Sequence, residues 1–169
     1  MFIAHLPSGY LLAKSTLTKF KISQIAPSTV ILTMMIGAIF PDIDLFYFFL
    51  IDHQQVHHHQ YFLHWPILWI GLFLGLSLLY KFCQKTSKFL LLALLFCAGG
   101  ILHVILDSLV GDIWWFAPFI DQAFALFKVE AQYQPWWLNF ILHWSFWVEI
   151  FICIIAGIVY LRSKRTDTQ

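Results

Sequence analysis

Residues 89–110 read FLLLALLFCAGGILHVILDSLV. No Asp, Glu, Lys or Arg interrupts this run before Asp107, so a helix built from it has no polar face to turn to water. About 20 mostly apolar residues cross the hydrocarbon core of a bilayer, and this run is long enough to do so. It also carries His103 and Asp107 in an i, i+4 relation. Successive helical residues turn by about 100°, which puts the two side chains on one face. An ionisable group at the centre of a membrane helix costs roughly 2.5–3.5 kcal/mol on an insertion scale. The pair must therefore face something polar.

The rest of the chain agrees with a bilayer as its solvent. Of 169 residues, 60% are hydrophobic, 19% aromatic and only 11% charged, with a mean hydropathy of +0.77. A soluble domain carries about 25% charge, so this chain lacks the means to coat a soluble surface. Disorder is excluded by the same hydrophobicity. A net charge of +1 offers no basic face for nucleic acid. Three cysteines are too few for a disulfide scaffold. The length suits one domain, so residues 1–169 read as a single membrane-embedded unit.

Outward from 89–110, Tyr61 to Tyr80 and Trp137 to Leu161 are long enough to span. Ser28 to Ile51 is another candidate, broken at Pro41-Asp42-Ile43-Asp44. Phe2 to Ala13 is apolar but too short. With no basic leader and no small-residue cleavage site, it reads as a short N-terminal helix rather than a removable signal. The fold class expected is all-α: a polytopic bundle of about four transmembrane helices, the first broken at Pro41-Asp42. A short N-terminal helix and an aromatic interfacial segment around 111–135 complete it.

With four spans, Lys14, Lys19, Lys21, Lys81, Lys85, Lys88, Arg162, Lys164 and Arg165 fall on one side and Lys128 on the other. The positive-inside rule makes the first side cytoplasmic, with both termini there. Trp65, Trp114, Trp115, Trp136 and Trp137 cluster near the opposite interface, where indoles settle.

Helical rise brings scattered polar residues to one depth. Asp42 is 14 residues beyond Ser28, and His103 is 14 beyond Phe89; at about 1.5 Å per residue each lies about 21 Å from the cytoplasmic end. Asp107 lies about 6 Å farther out, with His64 near the outer end of its span and His143 about 9 Å inside. His57, His58 and His59 form a run just before His64. Imidazoles and carboxylates together are a usual ligand set for zinc and related divalent ions. Each feature has a structural alternative. HxxxD can be a hydrogen-bonded core pair, the His run a solvated loop, and Asp-x-Asp a helix cap. Gly71-x-x-x-Gly75 reads as a helix-packing motif, and Glu149 as a structural partner within the bundle.

At these residues the chain resembles the bacterial YdjM-type, LexA-regulated inner-membrane metal-dependent hydrolase family. The matching words are His5-x-x-x-Gly9, Gly37 to Asp44, His57 to Pro66, His103-x-x-x-Asp107 and Gly111 to Pro118, in the family's order. Many members carry His-Arg-Gly-x-Thr-His-Ser where this chain has His59-Gln-Tyr-Phe-Leu-His64-Trp. Both histidines persist, while the arginine and threonine do not. A more distant likeness is to the zinc-dependent phospholipase C and P1 nuclease superfamily, which orders His, Asp, His and HxxxD around clustered zinc ions. The later HxxxE spacing of that superfamily is absent: Trp147, not an acid, follows His143 at i+4, and Glu149 comes at i+6.

The resulting expectation is a metal-dependent hydrolase of the bacterial inner membrane, holding one or two divalent ions, zinc first. The ligands would be Asp42, His59 or His64, His103 and Asp107, with His5 completing or extending the site. Asp44 would bridge a second ion or accept a proton from metal-activated water. The substrate implied is a phosphoester or lipid-like amphiphile, met near the periplasmic side. The alternative from another class is a transporter or proton relay using the same Asp/His cluster. A third is a membrane anchor stabilised by its metal.

Overall fold

The computed structural model describes residues 3–83, 86–135 and 137–167. Phe2, Lys85 and Trp136, which enter the readings above, lie outside the described residues. The elements are α-helical: α1 (His5–Lys19), α2 (Pro27–Ile39), α3 (Asp44–Leu50), α4 (Pro66–Phe82), α5 (Lys88–Asp107), α6 (Trp137–Ile141) and α7 (Trp144–Asp167). Among the described residues no strand forms beyond the Ile113–Phe124 bridge.

Among the described residues, three helical stretches are long and apolar enough to cross a membrane: Pro27–Leu50, Lys88–Asp107 and Trp144–Arg165. The first is α2 and α3 joined through a 3-10 turn at Phe40–Ile43, so the expected break at Pro41-Asp42 is present. There the backbone tightens without leaving the helical path, and Asp42 and Asp44 project from the joint. Ser87 starts α5 by accepting a hydrogen bond at its Oγ from Leu90 N.

Two span boundaries differ from the sequence reading. The helix expected over Tyr61–Tyr80 begins only at Pro66 and runs 17 residues, about 25 Å. Residues 58–64 are spent instead on two 3-10 turns, His58–Gln60 and Phe62–His64, separated by extended Tyr61. These turns carry His59 and His64 inward, and Pro66, with no N–H to lose, opens the helix. The stretch expected from Trp137 is also interrupted, at Leu142–His143. His143 Nδ1 there accepts from Ser145 N at 3.3 Å, a local bond that competes with the helical ladder.

The tightest packing is between α2, α5 and α1. A Cβ on Gly37 would run into the Phe96 backbone, and one on Gly99 would meet Met34 O at 2.5 Å. Ala13, Val30, Met34 and Leu95 fill the core between these helices. Trp69 of α4 lies over Gly100 and packs with Cys97 and Val104. A Cβ on Gly71 or Gly75, in contrast, would meet no other atom of the described residues within 4 Å. Among the described residues the packing role read from their spacing is not used; Gly37, Gly99 and Gly100 fill it instead, because there a second helix comes close.

The outer surface is apolar. Phe46, Leu74, Phe89, Trp147 and Phe151 are all exposed, whereas His64, His103 and Asp107 are sealed. That inside-out arrangement suits lipid, which rewards exposed hydrocarbon and penalises exposed polar groups. The 111–135 segment is tied to the outer end of α5: Leu126 N bonds Ser108 O and Phe127 N bonds Leu109 O, both at 2.8 Å.

Candidate metal centre

The centre forms where four elements meet. The α2–α3 joint supplies Asp42 and Asp44, the two 3-10 turns supply His59 and His64, the end of α5 supplies His103 and Asp107, and the start of α1 supplies His5. Gly37 and Gly99 let α2 and α5 approach backbone to backbone, which draws the joint against the His103 face of α5. Gly111, just past α5, performs a similar service for His59, whose ring lies where a Cβ would be.

One donor atom each from Asp42, His64, His103 and Asp107 lies within 4.8 Å of the others. His103 Nε2 is 3.0 Å from Asp107 Oδ2 and 3.6 Å from Asp42 Oδ1. His64 Nε2 is 3.3 Å from His103 Nε2, 3.6 Å from Asp42 Oδ1 and 3.9 Å from Asp107 Oδ2. For ligand bonds of about 2.0–2.2 Å, the edges of a tetrahedron are about 3.3–3.6 Å. The five edges that involve a histidine, 3.0–3.9 Å, bracket that range.

The rear nitrogens fix which lone pairs point inward. His103 Nδ1 donates to Ala38 O at 2.8 Å, since a carbonyl can only accept. His59 Nδ1 likewise donates to Asp112 O at 3.1 Å. His64 Nδ1 lies 2.7 Å from Asp44 Oδ2. With Nδ1 donating in this way, the Nε2 atoms of His103 and His59 are left as acceptors, directed at His64 and at the carboxylates. Such a set of acceptors is repulsive unless positive charge sits among them. A proton on His64 is one way to place that charge. Burial opposes its charge, but hydrogen bonds to Asp42 and Asp44 win and push its pKa up to about 9. His59 and His58 lie farther from that pair of acids; burial lowers both, His58 to about 4.

The expected residues are thus brought together, in distinct places. His5 Nε2 lies 3.1 Å from Asp107 Oδ1, and its ring stacks on His103 at 3.9 Å. His59 Nε2 lies 3.5 Å from Asp107 Oδ2. Asp44 stands behind His64 rather than beside the four inner donors, and its Oδ1 is buried with no hydrogen-bond partner among the described residues. Asp42 is the open edge: its side chain is 33% exposed, against 0–2% for the other three. His143 lies elsewhere, beside a cavity of about 310 Å³ lined with Lys128 and Tyr133.

Sequence reasoning missed several contributors. The carbonyls of Ala38 and Asp112 leave no trace in residue identity. His58, left undecided by the sequence, offers a nitrogen within 4.8 Å of those of His59 and His64. Glu149, by contrast, was read from the sequence as a structural partner within the bundle, and it accepts from Ile3 N at 2.6 Å and Ala4 N at 3.2 Å, at the start of the helix that carries His5.

A family model described as YdjM inner membrane protein matches residues 1–166. No curated protein and no solved structure matches the chain. The likeness to the phospholipase C and P1 nuclease superfamily rests on residue order alone.

Proposed function

The chain belongs to the YdjM inner membrane protein family, and from that premise we propose that it is a membrane-bound metal-dependent hydrolase. The observation that carries the reading is the convergence of four electron-pair donors, of which the two imidazoles are aimed inward by their rear contacts. Asp42, His64, His103 and Asp107 would hold the cation, and their mixed nitrogen and oxygen character favours zinc. Once bound, a divalent ion supplies Lewis acidity and lowers the pKa of a coordinated water toward about 7.

The remaining residues support that chemistry. Ala38 O and Asp44 hold His103 and His64 in the required tautomers, as outer-shell partners do in metal sites. The unpartnered Asp44 Oδ1 is a place for a proton released at the cluster to rest. His5 and His59 flank Asp107 and keep its carboxylate oriented. A substrate would enter past Asp42, the exposed member. The apolar surroundings favour an amphiphile, and a phosphoester or lipid-like compound is the class proposed. The distribution of Lys and Arg supports cytoplasmic termini and a site on the periplasmic side.

Metal analysis of detergent-purified protein is the first test. Wild type should carry a stoichiometric divalent ion, and no bound metal would reject the reading at its root. A screen of metal-loaded protein against phosphoester and lipid substrates is the second. Tight metal binding with no turnover of any of them would retain the centre and remove the hydrolase.

A further inference from the structure

The imidazoles form an unbroken file from the surface to the innermost donors. His57 is exposed, His58 half-buried, and His59, His64 and His103 buried. Ring centroids are 5.2 Å apart from His57 to His58, 4.0 Å from His58 to His59, 4.6 Å from His59 to His64 and 5.2 Å from His64 to His103. A 3-10 turn has three residues per revolution, so successive side chains on it tend to fan apart. Here His58 and His59 nevertheless both reach His64.

Two sets of converging donors result: His58, His59 and His64 outside, and Asp42, His64, His103 and Asp107 inside. They share His64. Its Nδ1 is engaged by Asp44, which leaves Nε2 as the atom common to both. His59 also faces both ways, since its Nδ1 is held by Asp112 O and its Nε2 lies 3.5 Å from Asp107 Oδ2. The outer set contributes three imidazoles and no carboxylate; the inner set contributes two carboxylates to a dication. Charge therefore makes the outer set the weaker of the two, and its exposure makes it the first to be reached.

We propose that His58, with His59 and His64, forms a second, weaker divalent-cation site through which the ion is loaded, passing to the inner donors by ligand exchange about His64. This rests on the metal reading above and assigns a role to the histidine run that the hydrolase itself does not require. Imidazole ligands suit zinc, copper and nickel, and exclude magnesium and calcium, which want oxygen.

The test uses the full chain in detergent, stripped of metal and titrated with Co²⁺ alone while its visible absorption is followed. Wild type should show a tight and a weak class of Co²⁺ site. In His58→Asn the weak class should fall by at least the roughly 10–100-fold that losing a mere supporting contact costs. The tight class should persist, and filling of the tight site under limiting Co²⁺ should slow several-fold. His53→Ala, an exposed histidine earlier in the same loop, should leave both classes and the rate unchanged. His58→Gln serves as a second variant should the Asn form not fold. A single class of site in wild type, or wild-type loading in both His58 variants, overturns the loading site and leaves the inner centre standing. Absence of both classes in wild type overturns the metal reading as well.

Discussion

Asp107 and Glu149 are both buried acids on membrane-crossing helices, 1% and 2% exposed, yet they are met by opposite kinds of partner. Asp107 faces imidazoles: His103 at 3.0 Å, His5 at 3.1 Å and His59 at 3.5 Å. Glu149 faces backbone, accepting from the N–H groups of Ile3 and Ala4 ahead of α1. Backbone amides neither lose a proton nor bind a cation, so these two contacts of Glu149 serve to hold structure in place. It does for α1 what a capping side chain does elsewhere, and α1 has no cap of its own from Ala4. Imidazoles exchange protons and ligate metals. The cost of burying an acid in the membrane is thus similar in the two regions, while the chemistry it makes possible is not.

The largest effect should come from the Asp107 region. Replacing His103 by Ala together with Asp107→Asn should bring bound metal down to background in elemental analysis; retention of the wild-type content would break the contrast at once. Asp44→Asn tests a carboxylate of intermediate standing, one contact removed from the inner donors. A loss of about 10–100-fold in metal affinity is expected, with stoichiometry at saturation unchanged. Glu149→Ala removes charge-assisted hydrogen bonds worth about 1.5–3 kcal/mol. It should lower the unfolding temperature in detergent while the inner site still fills, and loss of metal from Glu149→Gln would move this acid into the site. The smallest effect is expected from Gly71→Ala with Gly75→Ala, where an added Cβ meets no other atom of the described residues within 4 Å. Helix propensity gives each change a gain of about 1 kcal/mol at most. A clear loss of stability, or a lower molecular mass in solution, would reveal a second copy packed on that face.

Much of this was legible in sequence because it depends on local quantities. The span at 89–110 follows from composition, and the common depth of Asp42 and His103 follows from a fixed rise per residue. The pairing of His103 with Asp107 follows from the helical repeat. Other features were not legible. The late start of α4 at Pro66 reflects a tertiary demand on His59 and His64 that outweighs the apolar run around them. The break at Leu142–His143 comes from a local side-chain bond, and it leaves His143 away from the cluster. The placement of Asp44 behind His64, with Asp42 among the inner donors, depends on how the 3-10 turn at Pro41 directs two carboxylates only two residues apart, too fine for counting residues. Gly71 and Gly75 have the spacing of a packing motif, but only the approach of another helix gives such a motif its use.

By itself the sequence determined the solvent and the inventory: a chain too apolar for water, folded as membrane helices, with His and Asp at a shared depth. Hydrophobic transfer and helical periodicity are properties of neighbouring residues, so they can be read along the chain. Only the tertiary structure decided which nitrogen of each histidine points inward, which carboxylate stands beside the inner donors and which behind them, and that the histidine run leads into the same cluster. Those choices are made by backbone carbonyls and by glycine-to-backbone contacts between helices distant in sequence, and no spacing of residue types encodes them.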